Sequence, residues 1–297
     1  MTRSRSHPPT LLTLVKRTLT EECGVEKGAH VLVALSGGGD STALLHALAL
    51  LGKKLDFRVS AHGVDHGLRA EASAELDAAE ALCVELGVAF SRTKLTLGDG
   101  GNLQARARAA RRSALLAVAE ERAADRIATA HHADDRAETV LIRLLRGSGP
   151  RGLSVLAPRD GIWIRPLCRA RESDVRAHLA RHALRFAEDP SNANRRFLRT
   201  RVRFELLPLL SELSPQIVMH LCALADALSE PAHAPGTKAE LAVALELNRA
   251  QRELVGRALA FRQRSARVSL PGGRELSFDP ATFEPLLTAA RPRLRKR

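Results

Sequence analysis

Ser36-Gly37-Gly38-Gly39-Asp40-Ser41 stands between a short apolar run, His30-Val31-Leu32-Val33-Ala34-Leu35, and a segment of helix-forming composition, Thr42 to Leu50. An apolar run rich in Val and Leu and bounded by glycine reads as a strand, so the order is strand, glycine turn, helix. Three consecutive glycines let the backbone approach a ligand closely and adopt conformations barred to other residues. The N–H groups of such a turn, and of the first helical turn after it, point outward at the positive end of the helix dipole. Hydroxyls of Ser36, Ser41 and Thr42 add donors, and a phosphate or pyrophosphate suits that donor set. A plain glycine turn with Asp40 or Ser41 as helix cap is the other reading of these residues. No Lys-Ser or Lys-Thr follows the glycines, which separates this turn from a Walker A loop.

Outward from the turn, apolar spacing predicts helices over Leu11 to Glu22, Thr42 to Leu51, Ala70 to Leu86, Asn102 to Ala123 and Asp134 to Arg146. Strands are expected over Asp56 to Ala61, Val88 to Lys94 and Arg126 to Ala130. Strands alternating with helices of this length imply an α/β fold with a doubly wound parallel sheet. Such sheets bind ligands beyond the carboxyl ends of their strands, and the loops after Leu35, Ala61 and Ala130 are expected there.

The last of those loops reads His131-His132-Ala133-Asp134-Asp135-Arg136-Ala137-Glu138-Thr139. Carboxylates beside a phosphate-binding turn suit Mg2+, a hard cation that takes oxygen ligands; Asp40 and Asp135 are the candidates. A capping role for Asp134, with both histidines as ordinary loop side chains, competes with that reading. Adjacent histidines make a poor zinc pair. Downstream, Arg143, Arg146 and Arg151 alternate with Gly147, Gly149 and Gly152 in a cationic loop suited to a nucleotide or RNA backbone. Arg106, Arg108, Arg111 and Arg112 cluster near the start of the predicted Asn102 to Ala123 helix. The whole chain is basic: formal net charge +13 over 297 residues, with 39 of its 46 basic residues Arg. That excess points to a polyanion partner, nucleic acid first.

The Ser-Gly-Gly-x-Asp-Ser pattern resembles the pyrophosphate loop of the ATP pyrophosphatase (PP-loop) superfamily. Added to it, Ala130 to Leu153, Ile164-Arg165-Pro166-Leu167, Glu188-Asp189-Pro190-Ser191-Asn192 and Arg199 to Pro208 resemble the bacterial tRNA(Ile)-lysidine synthetase family. The resemblance implies ATP and Mg2+, free lysine, and an isoleucine tRNA with a CAU anticodon. It implies adenylation of the wobble cytidine and displacement of AMP by lysine, giving lysidine, AMP and pyrophosphate. ATP is expected on Ser36, Gly37, Gly38, Gly39, Asp40 and Ser41, with catalysis at Asp40, His132, Asp135 and Glu138. His132 and Glu138 are the candidate bases for the lysine amine. Arg108, Arg111, Arg143, Arg146, Arg199, Arg201 and Arg203 are the expected tRNA contacts. Two departures stand out: Gly63 falls where the family usually has His, with His62 displaced by one, and Arg112 replaces a usual Tyr after Ala107-Arg108-Ala109-Ala110-Arg111.

From these patterns the catalytic domain is expected over 1–213 and a helical linker with a small α+β tRNA-binding domain over 214–297. In the latter, Ser214 to Ser229 and Leu247 to Arg262 read as helices, and Glu230 to Gly236 as a linker. Ala266 to Leu270 and Arg274 to Phe278 flank Pro271-Gly272-Gly273 as a hairpin. Arg291 to Arg297 reads as a basic tail, and Met1 to Thr20 as a basic leader running into the first helix. Cys23, Cys83, Cys168 and Cys222 are too scattered for a disulfide frame or a metal site. No apolar run reaches the ~20 residues of a membrane span, and a cytoplasmic protein, with a homodimer as an option, is expected. A tRNA thiolase of the same superfamily and a non-catalytic RNA-binding protein are the competing functions.

Overall fold

The computed structural model describes residues 9–65, 72–95, 103–187, 197–229, 268–270, 274–278 and 285–289. Two compact units divide the chain, 1–229 and 230–297. The first contains α1 (Leu11–Thr18), β1 (His30–Leu35), α2 (Gly39–Leu55), β2 (Arg58–Asp65), α3 (Ala72–Leu86), β3 (Ala89–Lys94), α4 (Leu103–Glu121) and β4 (Arg126–Ala128). There follow α5 (Ala133–Leu145), α6 (Pro150–Leu153), β5 (Arg159–Asp160), β6 (Trp163–Ile164), α7 (Glu172–Arg181), α8 (Leu198–Arg201), α9 (Leu207–Leu213) and α10 (Ile217–Ala227). A π-helical turn at Leu19–Cys23 extends α1 and ends at Gly24 with φ 62°. A second, Val202–Leu206, joins α8 to α9.

One sheet of order β3-β2-β1-β4-β6-β5 organises this unit. Its first five strands run parallel, and β5 closes the edge antiparallel to β6. β1 is central and buried at all six positions, as its unbroken apolar composition requires of a strand covered on both faces. Alternation splits its side chains: Val31, Val33 and Leu35 enter a core with α1, α2 and α7, while Leu32 and Ala34 meet Leu115 and Ala119 of α4 and Trp163. Strand order reverses direction at β1, between β2 and β4. The crevice beyond the carboxyl ends of β1 and β4 is therefore the topological switch point, where doubly wound sheets bind ligands.

β2 runs four residues beyond its expected end at Ala61, pairing with β1 as far as Gly63 and with β3 as far as Asp65. His62 is consequently a strand residue and not part of a ligand loop. It is buried, and its Nδ1 lies 2.7 Å from Ser91 Oγ. A side chain at Gly63 would place its Cβ 2.6 Å from Leu76 Cδ2 of α3, so that methyl would have to shift to admit one. β5 and β6 were not expected; two residues each, they are too short to show a period.

A further core packs α5 against Val202, α9 and α10, through Ala133, Ala137, Val140, Leu207, Val218, Leu221 and Cys222. α10 thus belongs to the first compact unit, whereas its sequence was read with the segment after 213. The reason is long-range: its apolar face covers α5, and fully buried Arg136 of α5 pairs with Asp226 of α10 at 2.6 Å. The second unit contains an antiparallel sheet of β7 (Val268–Leu270), β8 (Arg274–Phe278) and β9 (Pro285–Ala289), in that order. β7 and β8 pair with Val268 opposite Leu276, as the hairpin pattern predicts. The turn between them, the linker Glu230 to Gly236, the helix over Leu247 to Arg262, the tail from Arg291, the leader before Pro9 and the run Glu188 to Asn192 lie outside the described residues. Among the described residues no single helix is long and apolar enough to cross a membrane.

Candidate active site between the first and fourth strands

The glycine turn leaves β1 and enters α2 with no side-chain cap: Gly38 is the N-cap residue, and no side chain bonds the helix's first N–H groups. Neither Asp40 nor Ser41 fills that role. Ser41 Oγ instead donates back to Gly38 O at 2.9 Å and accepts from Ser36 N–H at 3.2 Å, which fastens the turn on itself. The open N–H groups are left at the switch point. The three glycines have different reasons. Gly37 holds φ 82°, and a Cβ there would strike Glu75 O at 2.7 Å. Gly39 faces Leu179 and Phe186 at 3.2 Å from a built Cβ. A Cβ on Gly38 would meet nothing nearer than Ser36 Oγ at 3.8 Å, so the protein itself leaves that side of the turn open. Ala187 N–H donates to Gly37 O at 3.0 Å and ties the segment after α7 to the turn.

Across the crevice the α5 N-terminus is built from His131 to Glu138. His132 is the N-cap: its Nδ1 accepts from Asp135 N–H at 3.3 Å, and its own N–H donates to Asp135 Oδ2 at 3.2 Å, a reciprocal capping box. With Nδ1 accepting, Nε2 is the donor nitrogen of the ring. That atom lies 3.8 Å from Asp40 Oδ2 and 3.5 Å from Asp135 Oδ2. Asp40, His132 and Asp135 are thereby brought together. Asp40 is 48 % exposed, and burial, countered by His132 and reinforced by Asp135, raises its carboxyl above the ordinary range. Burial also works to raise Asp135, but His132, His131, Arg199 and Arg203 outweigh it and hold that carboxyl low. His131, whose Nδ1 lies 3.0 Å from Thr129 Oγ1, is pushed down to about 4 by burial.

Asp134 Oδ2 lies 3.7 Å from His132 Nδ1, but its bonds run to the start of α7. It accepts from Arg171 and from Glu172 N–H at 2.8 Å, pinning the start of α7. Glu138 is fully buried, with Oε2 accepting from Arg199 Nε at 3.0 Å and Oε1 from Arg203 Nε. Arg199 and Arg203 also reach Asp135 Oδ1, at 3.2 and 3.1 Å. These two arginines therefore form a buried-edge cluster with two carboxylates. Arg201 lies elsewhere on that helical stretch, exposed and paired with Glu205. Arg108 and Arg146 are exposed, Arg143 donates to Gly152 O, and half-buried Arg111 is lowered by burial and by Arg108. As for Mg2+, Asp40 offers a half-open carboxylate at the turn, whereas Asp135 already has both oxygens engaged by the guanidinium groups and His132 N–H.

Sequence reading missed the partners: Arg171 for Asp134, Asp226 for Arg136, and the Glu138 anchor of Arg199 and Arg203. The four cysteines are all buried free thiols, raised by burial to about 12 at Cys23 and Cys168 and about 11 at Cys83 and Cys222.

An uncapped glycine turn at the switch point of a parallel sheet defines a nucleotide-binding α/β domain, and the PP-loop domain family matches residues 11–210. The solved U34-tRNA thiolase NcsA from Methanococcus maripaludis, with its 4Fe-4S cluster, shares the fold at TM-score 0.65 and 20 % identity, over 77 % of this chain and 81 % of that one. The tRNA(Ile)-lysidine synthase of Thermobifida fusca is 39 % identical over 233 residues, 76 % of this chain and 70 % of that protein. The tRNA(Ile)-lysidine synthase of Pseudomonas fluorescens is 41 % identical over 193 residues, 63 % of this chain and 43 % of that protein. This chain belongs to the tRNA(Ile)-lysidine synthase family of PP-loop proteins. It spans under half the length of several relatives, 48 % for the one from Xanthomonas campestris.

Proposed function

We propose that this protein uses ATP to join free lysine to the wobble cytidine of an isoleucine tRNA with a CAU anticodon, in the cytoplasm. The observation that carries the reading is the meeting of the uncapped α2 N-terminus with Asp40, His132 and Asp135 at the switch point, inside a rim of arginines. The ATP phosphates lie on Ser36 to Ser41, received by backbone N–H groups. The carbonyl oxygen of the cytidine base attacks the α-phosphorus, an oxygen–phosphorus bond forms, and the bond to pyrophosphate breaks. The deprotonated lysine amine then attacks the activated ring carbon, a carbon–nitrogen bond forms, AMP leaves with the former carbonyl oxygen, and the proton of the new ammonium passes to solvent water. Mg2+ bound through Asp40 and the phosphates would neutralise charge on the departing pyrophosphate.

His132 and Asp135 are positioning residues in this reading. His132 turns its Nε2–H toward both carboxylates, and Asp135 holds Arg199 and Arg203 at the mouth of the site. Glu138, buried with a guanidinium on each oxygen, anchors those arginines and stands back from the lysine amine. Exposed Arg108, Arg146 and Arg201 meet tRNA phosphates. The raised, buried thiols disfavour the thiolase reading, since sulfur transfer runs through thiolates.

The test is incubation of the protein with ATP, magnesium, labelled lysine and a tRNA(Ile) transcript bearing CAU. Label entering the tRNA with release of AMP and pyrophosphate is expected. Label staying in solution while AMP accumulates would overturn lysine as nucleophile. Absence of ATP cleavage would favour a binding protein on an inherited nucleotide fold.

A further inference from the structure

Three histidines outside the crevice converge where α7 packs on α2. His46 lies on α2, the helix that begins at the glycine turn. His178 and the C-cap residue His182 lie one turn apart on α7. His46 and His178 are buried and His182 is exposed. Their nearest ring nitrogens all lie within 4.8 Å of one another, with His46 Nδ1 2.9 Å from His178 Nε2. The three ring centroids are 4.5 to 5.0 Å apart. We propose that His46, His178 and His182 bind one transition-metal ion of the imidazole-preferring class, zinc first, with water from the solvent side as the fourth ligand.

The chemistry of the donor set selects the ion. Three imidazoles and no carboxylate suit Zn2+, Co2+ or Ni2+ and not Mg2+ or Ca2+. A tetrahedral ion with Zn–N of about 2.0–2.1 Å needs ligand nitrogens roughly 3.3 Å apart, a small adjustment from the spacing present. Only one of the two facing nitrogens of His46 and His178 carries a hydrogen. Its move to the far nitrogen of the same ring frees both lone pairs for the metal. Arg181 is the cation acting on His178, and it opposes a purely electrostatic ion more than one held by nitrogen donation.

The site's place in the fold gives it a use. α7 carries Leu179, and the segment after it carries Phe186 and Ala187, all three against the glycine turn. An ion bridging His46 to His178 and His182 fastens that wall to α2.

The experiment uses untagged full-length protein stripped with EDTA and titrated with CoCl2 and ZnCl2. One ion per chain is expected, with the intense visible absorption of tetrahedral Co2+ and a rise in melting temperature on adding zinc. His182→Ala, at an exposed position that does not threaten folding, is expected to weaken zinc roughly tenfold or more and to abolish the cobalt band. His220→Ala, exposed on α10, is expected to leave both unchanged. Absence of stoichiometric binding, or equal binding by His182→Ala, would overturn the site and leave a hydrogen-bonded packing cluster.

Discussion

His132 Nε2 lies 3.8 Å from Asp40 Oδ2, which links the N-terminus of α5 to the first turn of α2 across the switch point. The same imidazole caps α5 through Nδ1, so one ring serves two ends of the site. Its two duties separate by substitution. His132→Ala removes the cap and is expected to cost about 1 kcal/mol of stability. His132→Asn keeps an oxygen at the N-cap and should restore most of that loss. Both variants are expected to lose about 100-fold in lysine transfer, the scale of a mispositioned catalytic group. Full activity in His132→Asn would reduce His132 to a cap.

Asp40 and Asp135 face the same imidazole yet carry opposite linkage signs. A carboxyl held below its unfolded value contributes stability that is present above the unfolded pKa and is lost as pH falls through the folded one. Asp135 is of that kind. Asp135→Asn is therefore expected to melt lower than the parent at pH 7, with the gap closing toward pH 3. A raised carboxyl stabilises only while protonated, below the unfolded pKa, and that contribution is gone once pH passes its folded value. Asp40 is of this second kind. Asp40→Asn is expected to melt at or above the parent at pH 7 while ATP cleavage fails. Thermal melts at pH 3, 5 and 7 with an AMP-release assay check both, and a lower melting point for Asp40→Asn at pH 7 would contradict the assignment.

The glycines divide in the same way. Gly37→Ala must hold φ 82° and displace Glu75 O, at a cost of about 1–3 kcal/mol. Gly38 has φ −75° and open space beside it, so Gly38→Ala is expected to melt like the parent. Its methyl would intrude on bound phosphates, and ATP affinity should fall about tenfold, the value of one lost backbone hydrogen bond. Unchanged ATP affinity in Gly38→Ala would move the nucleotide off this turn.

These contrasts show what the chain displays locally and what it does not. The glycine turn and the His131 to Glu138 run are each contiguous, so donors and carboxylates that act together are adjacent in sequence. β1 announces itself because a strand buried on both faces needs an unbroken apolar run. The end of β2 is hidden, since His62 and Gly63 are strand residues only because β1 and β3 extend beside them. Ion pairs such as Glu138 with Arg199 join residues far apart in the chain and leave no local pattern. The histidine trio is half legible: His178 and His182 have the spacing of one helical face, but only the packing of α7 on α2 brings His46 to them.

Glu138 is expected to be a stability residue first. It is fully buried and receives two guanidinium groups, so Glu138→Gln leaves both with Asp135 as their remaining charge partner. Removing one member of a buried pair costs about 3–5 kcal/mol, and about 2 is expected here because Arg199 stays 48 % exposed. Chemical denaturation measures it. A near-native midpoint for Glu138→Gln would mean that water supports the two arginines without the carboxylate.

The arginines should likewise sort by their partners. Arg146 is exposed and Arg201 pairs only at the surface with Glu205, so neither holds the fold. Arg203 is different, being 30 % exposed and bonded to both Asp135 and Glu138. Each phosphate contact contributes about 0.7–0.9 to the slope of log K against log salt, according to whether the RNA segment is single- or double-stranded. Arg146→Ala and Arg201→Ala are therefore expected to flatten that slope by about one contact each without shifting the melt. Arg203→Ala is expected to lower the melting temperature and the rate of lysine transfer together, because it releases Asp135 as well as Glu138. Filter binding of the tRNA at several salt concentrations, beside thermal melts of the same variants, separates the two groups. An unchanged slope in both Arg146→Ala and Arg201→Ala would place the RNA on another face of the protein.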